Sequence, residues 1–162
     1  MRPIVSLAMG AAAVIVSATS AIATKPDGIV SNVILAQGDS PSAIQERIQA
    51  GADWKLTLET QGESEVFHQD LVVGPGGRTG WHHHPGLLLI TVKEGTIDFY
   101  DKDCRKRTYA AGQSFTESAE PHNLFNRGSG NARLLIAYIV KKGEPRRIES
   151  EQPACAAGLE LP

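Results

Sequence analysis

The 162-residue sequence has no surplus of basic charge, only two cysteines, few aromatic residues and scarcely any helical periodicity. Sixteen Lys and Arg stand against 18 Asp and Glu, a net charge of −2. Such a chain has nothing with which to hold a phosphate backbone, and nucleic-acid binding is not expected. No C-x-x-C pair exists, so a thiol-redox centre is not expected. No serine sits in a nucleophile-elbow context. Gly74-Pro75-Gly76-Gly77 leads into a strand pattern rather than a helix N-terminus, so it is not a phosphate loop. The short basic clusters Arg105-Lys106-Arg107 and Arg146-Arg147 read as solvated loop charge. There is no internal repeat, no low-complexity segment and no linker between two cores. One domain is the economical reading.

Long apolar runs are also missing, except at the start. Arg2 precedes an apolar stretch from Ile4 to Val16, and Ala21-Ile22-Ala23 is a small-residue cleavage pattern. The run ends short of the ~20 residues that cross a bilayer. Residues 1–23 therefore read as a signal peptide, with export to the periplasm or beyond and no stable membrane span after cleavage. An oxidising compartment gives the two cysteines a role: Cys104 and Cys155 are expected to pair and tie the C-terminal tail to the body.

What the chain does have is glycine and proline, 16 and 9, in a sequence full of short alternating stretches. Frequent turns with period-2 alternation indicate an all-β domain. A first strand is expected at Val30–Ala36. Ser42-Ala43-Ile44-Gln45 resembles a capping box, Ile44 and Ile48 lie one helical turn apart, and Gly51 can terminate a helix. A single short N-terminal helix over 42–50 follows from that reading. Strand signals then run from Trp54 to Val140, including Phe67–Val73, Leu87–Lys93, Thr96–Tyr100, Ser114–Thr116, His122–Asn126 and Ala132–Val140. The organisation expected is 1–23 signal peptide, 24–52 strand and helix, 53–141 barrel, and 142–162 an extended tail pinned through Cys155.

Four of the five histidines occur in two places, His82-His83-His84 and His122. On a strand His82 and His84 point to one face and His83 to the other. Two imidazoles at i, i+2 can clamp a divalent metal, with His122 from another strand as third ligand. The surrounding pattern is more specific than the histidines alone. Gly76, His82-His83-His84 and Gly95 resemble the first cupin motif, and Gly112, His122 and Asn126 the second. Residues 75–86 resemble exported single-domain bacterial cupins.

That resemblance implies a jelly-roll β-barrel with the metal at its mouth, held by His82, His84 and His122. The glutamate that the first motif normally supplies falls on Leu88. Glu94 has the right parity but lies six residues along, about 20 Å at strand rise. A three-histidine site without the usual carboxylate is therefore expected. Such a site would leave a divalent ion its full charge and attract an anionic small molecule. Fe2+ or Mn2+ are the expected ions, and Zn2+, Ni2+ and Cu2+ suit the same donors. Gln69 shares the apolar face of Phe67, Leu71 and Val73, and should point inward, either to a metal-bound water or as a core amide bonded to backbone. Leu88, Ile90, Phe115, Leu124, Asn126 and Tyr138 are the other pocket candidates. The function implied is a small-molecule oxidoreductase of dioxygenase type, or alternatively a non-catalytic periplasmic binding cupin. A homodimer is compatible with either.

Overall fold

The computed structural model describes residues 24–159. The signal-peptide reading of residues 1–23 lies outside them. Twelve strands and one short 3-10 helix make up the described elements. Eight strands form one antiparallel sheet: β1 (Asp27–Ser40), β4 (Ser64–Arg78), β6 (Gly86–Glu94), β7 (Thr96–Tyr100), β8 (Lys106–Ala110), β9 (Ser114–Glu117), β10 (Asn123–Phe125) and β11 (Ala132–Lys141). Their order is β8-β7-β10-β4-β11-β6-β9, with β1 paired along β4. The sheet curls into a nearly closed barrel, as the all-β reading required.

Alternation decides what fills it. Phe67, Leu71 and Val73 of β4, Leu88, Ile90 and Val92 of β6, and Leu134, Ile136, Tyr138 and Val140 of β11 form one buried cluster with Phe99, Phe115 and Leu124. Outward neighbours on the same strands are polar, half-buried or exposed. Asp70 accepts two bonds from Arg133 Nε on the outer face of the β4–β11 pair, at 3.0 and 3.1 Å.

The helix expected over 42–50 does not form. Gln45–Ala50 is a strand, β2, paired in a hairpin with β3 (Trp54–Glu59). The spacing of Ile44 and Ile48 carries no helical face here. Instead Ile48 pairs with Leu56, and Ala50 with Trp54. Gly51 has φ +69, the left-handed conformation expected of a helix-terminating glycine, but it turns a hairpin. The Ile44 N–H donates to Thr60 Oγ1 across the base of that hairpin.

The C-terminal tail is held at more than one point. The Cys104–Cys155 disulfide is present. In addition Ile148–Glu149, β12, pairs with His82–His83, β5, so the tail lies along the histidine strand. The 3-10 helix Ala154–Gly158 puts Ala156 into a second buried cluster with Trp81, Tyr100 and Phe125. Among the described residues no helix is long and apolar enough to cross a membrane.

Candidate metal centre

The site is built at one end of the barrel by three short segments. β5 carries His82, with His84 two residues on. The loop before β10 carries His122, whose backbone forms a reciprocal bridge with His82. β9 carries Glu117. The side chains of His82, His84, Glu117 and His122 are all buried, and their potential ligand atoms lie within 4.8 Å of one another. His83 points the other way, where its Nδ1 meets Ser150 Oγ at 2.8 Å.

Glu117 corrects the expectation of a site without a carboxylate. Leu88 does occupy the position where the first motif would place an acid, and it is fully buried. Its direct cross-strand partner, however, is Glu117. The carboxylate enters from the neighbouring strand, at the same level of the barrel. The signal for it was alternation: Phe115 is buried, Thr116 exposed and Glu117 buried. A strand reading that ended at Thr116 stopped one residue short of the ligand.

The histidines are oriented by the backbone. His82 Nδ1 lies 2.7 Å from Gly80 O, His122 Nδ1 2.7 Å from Glu120 O, and His84 Nδ1 2.5 Å from Arg146 O. A carbonyl oxygen only accepts, so each Nδ1 carries its proton and donates. Each ring then turns its Nε2 inward, toward Glu117 and the other histidines. Gly80 makes one of these contacts possible. Its φ is +72, and a Cβ there would lie 2.1 Å from Thr24 O.

These donors fit a divalent cation. His84 Nε2, His122 Nε2 and Glu117 Oε1 are buried without a hydrogen-bond partner. Such groups cost free energy unless something compensates them. Glu117 Oε2 stands 3.3 Å from both His84 Nε2 and His122 Nε2. Two donors each about 2.1 Å from a common ion are roughly 3.0–3.4 Å apart at coordination angles between square and tetrahedral. Three imidazole nitrogens and one carboxylate suit iron, manganese or zinc.

Burial and mutual charge pull the groups of the cluster in different directions. Burial pushes the His82 ring well below the usual imidazole range, so it is a neutral donor near pH 7. Burial would raise the Glu117 carboxyl, but the adjacent His122, with His84 and His82, prevails and holds it well below the usual carboxylate range. His122 is itself raised, because Glu117 outweighs its burial.

A cavity of about 340 Å³ opens beside the cluster. Gln69, Leu124 and Tyr138 line it. Leu88, Ile90 and Phe115 do not line it; they pack in the apolar core beneath. Asn126 does not line it either. Its amide donates to Val73 O and Gly130 O, each at 2.8 Å, and so fixes the turn after β10. Gln69 is bonded to side chains rather than backbone: it donates to Asn32 Oδ1 at 2.7 Å and accepts from Tyr138 Oη at 2.6 Å. Asn32, Thr79, Arg146 and Arg147 also line the cavity. The two arginines read as loop charge in the sequence because nothing there showed the tail folding back over β5.

A family model described as the cupin domain matches residues 69–138. No curated protein matches the chain. Among solved structures it is similar to an oxalate oxidase, at 22% identity over 48% of this chain and 46% of that one, with a TM-score of 0.42. It is similar to a polyketide cyclase from Streptomyces resistomycificus, at 22% identity over 59% and 70% of the two chains, TM-score 0.46. A protein with a double-stranded β-helix domain from Klebsiella pneumoniae is 15% identical over 68% and 85%, TM-score 0.47. The chain spans less than half the length of the oxalate oxidase chains it matches. The match runs from β4 to β11, strands of the nearly closed antiparallel barrel, so residues 69–138 carry a cupin domain.

Proposed function

We propose that this protein is an exported, metal-dependent cupin acting on a small molecule, with oxidoreductase chemistry of dioxygenase type. The observation that carries the reading is the convergence of three imidazole nitrogens and one carboxylate, all buried and within 4.8 Å of one another, beside a cavity. His82, His84, Glu117 and His122 would hold the ion, and Fe2+ or Mn2+ are the ions proposed. Either metal, when bound, supplies redox or Lewis-acid chemistry that the side chains lack. The protein's own contribution is orientation. Gly80, Glu120 and Arg146 carbonyls fix the three rings, and Leu71, Leu124 and Ile136 form an apolar wall that limits water. Export is supported by the signal pattern of residues 1–23 and by the disulfide.

Glu117 is the one carboxylate lining the cavity among the described residues, and it belongs to the ligand cluster. Burial, then the Glu117 charge, raise the Tyr138 hydroxyl far above the range of a useful base. Chemistry that needs a separate proton-abstracting group is therefore disfavoured. The same observation suits a non-catalytic binding cupin, which is the second reading. Metal analysis of protein purified from its native compartment tests the proposal. Stoichiometric iron or manganese is expected. Protein that takes up no divalent metal under any loading condition would overturn it.

A further inference from the structure

We infer that Arg146, brought into the cavity by the C-terminal tail, is the specificity residue that recognises a carboxylate on the bound small molecule. The inference rests on the metal-dependent reading above and names its substrate class.

Three observations meet at this side chain. First, its position is set on both sides. Its own carbonyl accepts from His84 Nδ1, Arg147 Nη2 donates to Thr79 O at 2.8 Å, and β12 follows at once along β5. Second, its guanidinium lies in the cavity, with Cζ 5.2 Å from the Phe67 ring centroid and 5.9 Å from that of Tyr138. Nη1 donates to Gln69 Oε1 at 3.1 Å, the one side-chain hydrogen bond Arg146 makes among the described residues. A guanidinium carries five N–H donors in a planar fork, so most of the fork remains to be satisfied. Third, among the described residues no carboxylate lies within ion-pair distance of it, whereas its neighbour Arg147 is paired with Glu149 at 2.6 Å. Arg146 is a half-buried cation whose charge the protein does not neutralise.

Charge arithmetic then gives the ligand. Neutral histidines and one carboxylate leave a divalent ion at +1, and Arg146 adds a second positive charge on the same cavity. The anion preference first expected from a missing glutamate is thus restored by a residue of the tail. A carboxylate fits better than a phosphate. One planar fork matches two carboxylate oxygens, while a phosphate would call for further donors, and the neighbouring Arg147 is already engaged by Glu149 and Thr79 O. Aromatic faces beside the guanidinium reduce the ordering cost of binding.

The test uses the full disulfide-bonded protein loaded with Mn2+, titrated calorimetrically with malonate, succinate, acetamide and inorganic phosphate. Parent, Arg146→Met and Arg146→Lys are compared, and Mn2+ affinity is measured first for each. Substitution keeps the carbonyl that orients His84, so every variant should still bind Mn2+, and Arg146→Met, which loses a positive charge beside the ion, no more weakly than the parent. One dicarboxylate should bind the parent, and Arg146→Met should weaken it on the order of tenfold or more, the loss typical of a charge-assisted hydrogen bond. Arg146→Lys should recover only part of that, because the fork is lost. Acetamide should not distinguish the variants. Failure of the parent to bind Mn2+ would overturn the metal reading itself. Normal Mn2+ binding with no carboxylate binding, with phosphate preferred, or with equal carboxylate affinity in Arg146→Met would overturn the role of Arg146.

Discussion

At the scale of single residues, the two sides of one short strand separate chemistry from support. His84 presents Nε2 to the buried cluster, while His83 reaches Ser150 on the tail. His84→Ala should abolish high-affinity metal binding, since it removes a donor and leaves Glu117 less compensated. His83→Ala removes one side-chain hydrogen bond and should cost about 1 kcal/mol of stability or less, with metal affinity nearly unchanged. Metal titration of the two variants checks this; equal losses would contradict the facing described here. Both parities were legible in the sequence, because alternation on a strand needs only a register. The orientation of the rings was not. Carbonyls of Gly80, Glu120 and Arg146 are set by tertiary structure, and no residue type announces them.

At the scale of elements, the informative case is the pair β6 and β9. A linear motif placed the acid on β6, at Leu88, and found it missing. The sheet replaces it from β9, because a cross-strand partner occupies nearly the same place as the residue it faces. Directly opposed residues have Cβ atoms about 4.5–5.5 Å apart, within the reach of a glutamate side chain. Moving the acid across the ladder should therefore be tolerated in part. Glu117→Leu should lose divalent-metal affinity, and adding Leu88→Glu should restore some of it. Calorimetric titration of the single and double variants decides the matter, and a double variant no better than Glu117→Leu would mean that Leu88 does not face the ligand cluster. The hairpin β2–β3 teaches the converse. Ser42–Ala50 has a helix start signal, apolar residues at helical spacing and a terminal glycine, yet its Gln45–Ala50 stretch pairs with Trp54–Glu59. Local propensity is weak over nine residues, and long-range pairing overrides it.

At the scale of the whole molecule, the tail completes the site. It supplies the carbonyl that orients His84, the strand beside His82 and two cavity arginines. The sequence showed where it was tied, at Cys155, but not that it lies along β5; a two-residue strand leaves no pattern. The disulfide closes a separation of 51 residues, which in the chain-entropy picture contributes roughly 4 kcal/mol. Cys155 is exposed, so a thiol reductant can reach it. Reduction, or Cys155→Ser, should lower the thermal midpoint and also weaken metal binding, because the docked tail holds a ligand in place. Outer contacts of this kind are typically worth 10–100-fold in affinity. Thermal unfolding and metal titration with and without reductant measure both effects. A fall in stability with no change in metal affinity would show that the tail docks without the bridge.

If His82, His84, Glu117 and His122 form one metal centre, calorimetric titration of metal-free protein with Mn2+ separates the parent from Glu117→Gln. Glu117→Gln keeps the shape of the side chain and removes its charge. The parent should bind one ion per chain, and the variant should lose more affinity than the 10–100-fold that outer-contact changes produce. No binding by the parent, or the same affinity in both proteins, would contradict it.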